Sequence, residues 1–580
     1  MEEVRNRIWK FSNSMIKGNR KDVFGFKAAE EKRCLSLLTI SKQIYPQVIH
    51  SQRIWNESHI LRLPFLVKND LIKFNDDDCI TGRINPLPGP IPLPIIGNLL
   101  NKSGDLDEWF LKLHKKYGDI FEVVLLGRRR IILCRGDYIE NMLNHSKNTK
   151  YFLRFPHLKE LDDLKYFGTG IITNYNYNSW KYNRTFFSQA ILTPSFANEA
   201  LNQGHQLFYE MENYWKDIGP DTPTDYSAWM QRFTNDMIIV LTTGKRIYSL
   251  PSYFNTISEK KSDVPPASIE DSEAFIKSLR MLILGNAFFI IIPTIIRRYF
   301  PFFKQHQDKL LKNRDYFYSK LEQIIENRRK EIEETPLDVS LRHDMLTSFI
   351  TANTPRDINK TRNVDEEFLR PMTDEEILGS MGDAIAGGTD TTANSLSFIA
   401  YYLQHNPEIK EKLQQELYQV LGDDTTRPVT NGDLDKLKYT EAVIYEIARI
   451  KPVINMMMRY SSEPDEIAGY KWPARTMFHM NFAAINKNKA HWEDPEKVDP
   501  ERFMKKDEKR HKCAFNMWGG GLRICPGRKL AMIELKLLTA LIYRKYDVEL
   551  VDKNAPLKTK STALTTCQEL MVKIKPLNPN

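Results

Sequence analysis

The chain reads as mainly α-helical with little β-structure. Apolar residues recur at helical spacing over long stretches, above all 308–334 and 373–404. Strand signal is sparse, and its clearest instance is one hairpin pattern at 119–134. The size fits a large core: 580 residues, 42% hydrophobic and 27% charged, an ordinary globular balance.

The elements follow in order. Residues 1–84 are mixed, basic and partly amphipathic, and are expected to form an extension ahead of a main domain spanning 85–580. "NPLPGPIPLPIIGNLL" (85–100) carries five prolines between Pro86 and Pro94. That density forces extended, semi-rigid backbone, which serves as a hinge at the start of the domain or as a plain linker. "DEWFLKLHKKYG" predicts a helix ending at Gly118, and two apolar runs around Gly127 predict the hairpin. Helical segments dominate from about 185 to 350, no internal repeat is evident, and the polar stretch 337–372 predicts a surface connection. Thr373 and Glu376 then form a capping box at the start of the longest helix. Near its middle lie Gly387 and Gly388. Two glycines there cost roughly 1 kcal/mol each against alanine. Either another backbone packs very close, or a flat ligand lies against a helix that bulges there.

Composition limits the function. The net charge of +9 and pI near 8.9 are modest, and no nucleic-acid-binding motif accompanies them. Six cysteines at 34, 79, 134, 513, 525 and 567 show no CxxC pair, which suits a reducing compartment. The first forty residues carry too many charges for a signal peptide or a span. The apolar stretch Met281–Ile296 is sixteen residues long and interrupted by Asn286 and Pro293, too short and broken to cross a bilayer.

"WGGGLRICPGR", Trp518 to Arg528, concentrates backbone freedom around one thiol. Glycines 519–521 permit positive φ and close approach, so backbone N–H groups can converge on one sulfur. The segment after Pro526 is a strong helix, and its N-terminus favours a thiolate. Cys525 is therefore expected to have a lowered pKa, with a buried structural cysteine as the alternative.

This loop resembles the cysteine-ligand loop of cytochrome P450, the haem-thiolate monooxygenases. Four further stretches resemble family signatures in the correct order: "WKYNR" (Trp180–Arg184), "GGTDTT" (Gly387–Thr392), "EIAR" (Glu446–Arg449) and "PERF" (Pro500–Phe503). The resemblance runs from about Pro86 to near the end and implies the family's fold: mainly α with small β-sheets, haem lying between a long distal helix and the helix after the cysteine loop. It implies haem b as cofactor and Cys525 as the iron ligand. Trp180, Arg184, Arg459 and Arg523 become candidates for the haem propionates, with Trp518 and Gly527 as cofactor contacts in the loop. The family usually has phenylalanine where this chain has Trp518, and an indole N–H near the sulfur would tune the iron. Asp390 and Thr391 become the carboxylate and hydroxyl of the proton path for dioxygen activation. Glu446, Arg449 and Arg502 become a structural ion network. Asp383 is placed near the distal cavity, where it either pairs with a neighbouring segment, the favoured reading, or binds a polar or cationic substrate group, and "VINMMM" (Val453–Met458) is expected to give an apolar pocket wall.

The implied reaction is insertion of one oxygen atom from O2 into a lipophilic substrate, by hydroxylation or epoxidation. The chain carries no flavin or nicotinamide motif, so electrons are expected from an external NADPH-dependent reductase. "KKDEKRHK" (505–512), Arg528 and Lys529 offer it a basic face, or are solvated charge only. A peroxide-using isomerase or dehydratase on the same fold is disfavoured by Asp390 and Thr391. A haem-binding sensor would need neither a proton path nor an apolar pocket. The stretch Met281–Phe303, apolar and followed at Ile296 by Arg297 and Arg298, is expected to touch a membrane, with the protein peripheral or monotopic on the cytoplasmic face of the endoplasmic reticulum. The alternative is an apolar roof over the pocket.

Overall fold

The computed structural model describes residues 85–577, apart from 94–96, 99–103, 126–127, 147–148, 155–158, 266, 268, 293, 360–367, 506–509 and 563. The expected extension at 1–84 lies outside the described residues. Among the described residues, backbone contacts group 85–86, 91–93, 97–98, 124–125 and 128 into one unit and the rest into another. In the first, Leu93 pairs with Gly97 and Gly97 with Leu125, and the Asn98 side chain accepts from the Val124 N–H at 2.7 Å.

The second unit is mostly helical. It opens with Leu106–Tyr117 (α1), whose C-cap Gly118 takes φ 88. The expected strand pair follows as Ile120–Leu125 (β1) and Arg128–Leu133 (β2), adjacent in one sheet. Then come Tyr177–Ile191 (α2), Pro194–Ile218 (α3), the short strand Thr224–Asp225 (β3), Tyr226–Thr243 (α4) and Ser249–Ile257 (α5). Ser272–Ile291 (α6), Thr294–Tyr299 (α7) and Pro301–Glu334 (α8) form the next stretch. Met345–Thr351 (α9) is buried along its whole length, so the polar 337–372 stretch is not wholly a surface connection. Polar residues hid it: its Asp344 N-cap accepts from the Thr347 N–H and pairs with the buried Arg328.

Asp374–His405 (α10) is the long helix the pattern predicts, with the Thr373–Glu376 capping box formed. It runs unbroken through both glycines, with no bulge. Pro407–Leu421 (α11), Asn431–Lys436 (α12) and Lys438–Ile450 (α13) follow. Met456–Tyr460 (β4), Asp465–Ile467 (β5), Tyr470–Trp472 (β6) and Met477–Asn481 (β7) precede the short helices Phe482–Ile485 (α14) and Glu501–Met504 (α15). Arg528–Tyr543 (α16) follows the cysteine loop, and Tyr546–Leu550 (β8), Lys558–Ser561 (β9), Thr565–Glu569 (β10) and Met571–Pro576 (β11) end the described chain.

The sheets are small. One has the order β1-β2-β7-β4, with β2 parallel and β4 antiparallel to β7. The other larger one runs β3-β11-β8. The main core is helical, with Trp229, Phe208, Phe317, Leu396 and Leu538 all at 1% exposure or less. Each such side chain contributes roughly 1.5–3 kcal/mol by leaving water.

The Met281–Phe303 stretch divides between inside and outside. Phe289 is buried under the Arg297 guanidinium, 4.5 Å from its ring centroid, and Phe288 packs edge-on against His306. Arg297 is itself fully buried, bonding Gln307 and the Ile292 carbonyl, so it is not a cation facing outward. The exposed members are Leu284, Tyr299, Phe300 and Phe302, with Arg298 beside them. Among the described residues no helix is long and apolar enough to cross a membrane.

Candidate functional site around Cys525

The cysteine loop is folded by its glycines. Gly519 and Gly521 both take φ 66, a left-handed conformation costly for other residues. A Cβ on Gly521 would also lie 2.6 Å from the Asn144 carbonyl oxygen. The turn closes when the Cys525 N–H donates to the Trp518 carbonyl at 2.9 Å. Cys525 then stands three residues before α16, as the sequence predicts. The Gly527 N–H donates to its sulfur, and the guanidiniums of Arg184, Arg154 and Arg528 act on it.

Burial outweighs these influences, and the thiol pKa is raised rather than lowered. The expected low-pKa thiolate is therefore not a property of the polypeptide by itself. A coordinated metal cation deprotonates such a thiol outright, because its charge exceeds any nearby dipole. The indole of Trp518 lies beside the Tyr445 hydroxyl and is not among the groups acting on the sulfur.

Four arginines cluster beside the loop, with Arg154, Arg459 and Arg184 all acting on Arg523. Arg184 on α2 donates to the Ile524 carbonyl at 2.8 Å. Arg523 donates to the carbonyls of Ile172 at 2.7 Å and Asn174 at 3.1 Å, and lies over the rings of Phe152 and Trp180. Arg459 on β4 donates to the Met458 carbonyl, and burial with the nearby Arg154 lowers its pKa to about 9. Arg154 itself escaped the sequence reading, since "YFLRFP" carries no pattern marking it. The Nε atoms of Arg154, Arg459 and Arg523 are buried with no hydrogen-bond partner. The carboxylate reaching Arg154 and Arg523 is that of Asp383. Four cations with so little negative charge, and with orphaned donors, fit an anionic ligand carrying more than one carboxylate.

The long helix α10 supplies the opposite wall. Most of its middle is buried, yet Asp383, Gly387, Thr391 and Ser395, spaced by four, keep accessible surface. That stripe and the partly accessible Cys525 face an internal hollow. The two glycines have different reasons. A Cβ on Gly388 would sit 2.7 Å from Ile238 of α4, so this glycine is required by helix packing. Gly387 meets only Ile172 at 3.9 Å and leaves open space. Thr391 donates to the Gly387 carbonyl at 2.6 Å. Buried Asp390 accepts from Gln231 at 2.9 Å and lies 3.7 Å from the partly exposed Arg280. Gln231 and Arg280 were not legible in the sequence, because they lie on α4 and α6. Glu534 of α16 bonds Thr392, and burial raises its pKa to about 8.

The remaining expectations resolve as follows. Asp383 accepts from the Ile171 and Ile172 N–H groups at 2.7 Å each, pairing with a neighbouring segment as anticipated. Glu446 and Arg449 form a fully buried bidentate pair at 2.7 Å, with Arg502 at 3.6 Å. The three methionines do not form one wall. Strand alternation puts Met458 with Phe288 and Leu310, and Met457 into the core around Phe478.

Comparison with known proteins agrees with this architecture. A sequence model described as Cytochrome P450 matches residues 87–576. The chain is 27% identical to "Cytochrome P450 4d2" of Drosophila melanogaster over 80% of this chain and 88% of that one. It is 25% identical to "Cytochrome P450 3A13" of Mus musculus over 82% and 88%. It is 26% identical to "Steroid 17-alpha-hydroxylase/17,20 lyase" of Mesocricetus auratus over 82% and 89%. With a helical fold, a glycine-bent cysteine loop and a match over most of its length, the chain belongs to the cytochrome P450 family, monooxygenases that bind haem b.

Proposed function

We propose that Cys525 would hold the iron of haem b through its sulfur and that this enzyme inserts one oxygen atom from O2 into a lipophilic substrate, by hydroxylation or epoxidation. The observation that carries this is the position of Cys525: glycine-bent loop, helix start, Gly527 N–H on the sulfur and arginines around it. When bound, the haem iron supplies oxygen activation, aided by electron donation from a thiolate. The polypeptide does the rest. Arg154, Arg184, Arg459 and Arg523 would hold the propionates, with Trp180 as the aromatic shelf beneath Arg523. Gly527 carries no side chain to crowd the sulfur, which lies 4.0 Å from where its Cβ would be, and Trp518 lies beside the Tyr445 hydroxyl.

Asp390 and Thr391 handle protons. Asp390 takes them from the Arg280 side, and the Thr391 hydroxyl offers them into the hollow beside Gly387. This arrangement supports an oxygenase over a peroxide-using isomerase, which needs no proton supply.

Electrons come from an external NADPH-dependent reductase. The exposed Arg528 and Lys529 next to the loop suit an acidic partner. Residues 85–580 form the haem domain, and the protein sits on the cytoplasmic face of the endoplasmic reticulum. Leu284, Tyr299, Phe300 and Phe302 dip into the headgroup boundary there. Lipophilic substrate then enters from the bilayer, in keeping with a steroid hydroxylase among the relatives.

Cys525→Ser tests the ligand. The reduced, carbon-monoxide-treated parent is expected to absorb as a thiolate-ligated haem, and the variant to lose that band. A variant that keeps it overturns the assignment. Turnover of a lipophilic substrate with NADPH and a reductase, but not with peroxide alone, tests the reaction.

A further inference from the structure

Strand alternation gathers sulfur on one face of the β2-β7-β4 sheet. Met458 stands opposite His479, Tyr460 opposite Met477, and Ile132 opposite His479. Met456, Met458, Met477, His479 and Arg130 therefore share that face, while Met457 and Met480 turn into the core around Phe478. Arg130 and His479 are buried, at 4% and 5% exposure, and the three methionines beside them keep some accessible surface. The Arg130 Nη1 donates to the His479 Nε2 at 3.0 Å. The same nitrogen lies 3.2 Å from the Met477 sulfur and 3.7 Å from the Met458 sulfur. A guanidinium only donates, so Nε2 accepts and the imidazole proton sits on Nδ1. That Nδ1–H donates to the Met456 sulfur at 3.0 Å. On their apolar side Met458 and Met477 pack with Phe289 and Leu310.

A thioether sulfur is a weak acceptor and gains little from a buried guanidinium. A sulfoxide oxygen is a strong acceptor, and a cationic donor suits it far better. We propose that Met458 is a site of reversible oxidation, with Arg130 placed to receive the oxygen of its sulfoxide. Hydrogen peroxide is the oxidant. The sulfur attacks one peroxide oxygen, and the S–O bond forms as the O–O bond breaks. The departing hydroxide takes up the proton of the attacked oxygen and leaves as water. The sulfur gives up two electrons and the peroxide gains them. The charge of Arg130 stabilises both the departing hydroxide and the new S–O dipole. Met456 and Met477 hold their donors in closer contact, which engages the lone pair that would attack. At 3.7 Å the Met458 sulfur is the least engaged, and an oxygen on it accepts from Nη1 with little movement. Oxidation turns an apolar side chain polar and is undone by methionine sulfoxide reductases. At Met458 it places that polarity against Phe289 of α6 and Leu310 of α8. The oxygenase proposed above supplies peroxide whenever reduced oxygen escapes its substrate, but the site does not depend on that reading.

The test treats the full haem-loaded chain with dilute hydrogen peroxide, with imidazole covering the iron so that peroxide acts on the polypeptide alone. Catalase stops the reaction, and peptide mass spectrometry reads the added oxygen at each methionine over time. Met458 is expected to gain its oxygen about threefold faster than Met456 and Met477. In urea this ranking is expected to vanish. A methionine sulfoxide reductase with dithiothreitol is expected to return the unmodified mass. Arg130→Gln keeps a neutral donor of similar reach and is expected to slow Met458 about threefold, while the exposed Met504 of α15 reacts as in the parent. A Met458 that reacts no faster than its two neighbours, or one indifferent to Arg130→Gln, overturns the proposal. Should Arg130→Gln not fold, the ranking in the native parent and its loss in urea decide. Because the iron is covered and the readout is a mass, neither outcome depends on the haem site, and a parent that shows no Soret band counts against that site instead.

Discussion

At the scale of single residues, burial decides most of what the side chains do. Glu534 is a clear case. Its pKa of about 8 lies above the ordinary carboxyl value of 4.5, with burial as the cause and the Thr392 hydroxyl opposing it. The folded chain therefore holds this proton more tightly than the unfolded chain. The carboxyl's contribution is fully present at acid pH and is lost as pH rises through the window between those values. Glu534→Gln removes the titration. Compared with the parent, the variant is expected to gain thermal stability progressively between about pH 4.5 and about pH 8, with no gain at the acid end. A constant difference across that range counts against the account. Thr391→Ala is expected to retain haem and to divert reducing equivalents into free peroxide, since the proposed proton path runs through its hydroxyl. Peroxide yield per NADPH consumed measures this, and unchanged coupling removes Thr391 from the path. Cys525 and Thr391 were legible because short motifs surround them. Arg154, Gln231 and Arg280 were not, because their roles depend on segments over a hundred residues away in sequence reaching the same hollow.

At the scale of elements, α10 shows how much a glycine pair can conceal. Helical periodicity and the capping box placed its start within one residue. The two glycines admitted two explanations, and each applies to a different glycine. Gly388 faces Ile238 of α4 at contact distance, while Gly387 borders the hollow. Alanine in both positions gains roughly 1 kcal/mol of helix propensity. At Gly388 overpacking costs about 1–3 kcal/mol and outweighs that gain. Gly388→Ala is expected to lower the urea midpoint of the haem-bound protein, and Gly387→Ala to hold or raise it. Equal effects from the two substitutions refute the packing account. The buried α9 helix was missed for a related reason. Its threonines and serine read as loop residues, while its cap and ion pair come from tertiary structure.

At the scale of the whole molecule, the mostly helical fold and the order of its signatures were plain from periodicity and motif spacing. Which side of the Met281–Phe303 stretch faces outward was not, because period alone does not tell a core face from a membrane face. Phe289 and Arg297 belong to the interior, so substitutions there would damage the fold rather than test an anchor. The outward set is Leu284, Tyr299, Phe300 and Phe302, the last three lying close together in sequence. Replacing those three with serine is expected to release the chain from phospholipid vesicles in a flotation assay while its haem absorption is unchanged. A substituted chain that still floats, or a parent that never does, places the anchor elsewhere or nowhere in this stretch.

The four arginines around the hollow have a consequence for how the protein is made. Their mutual repulsion opposes closure of the newly synthesised chain, and little carboxylate nearby relieves it. A ligand that binds only the folded state stabilises it by mass action. Haem then acts as a folding reagent as well as a reagent for oxygen chemistry. Cells limited in haem synthesis are expected to accumulate less of this polypeptide, through loss to proteolysis, and supplying a haem precursor during expression is expected to restore its abundance without any change in transcript.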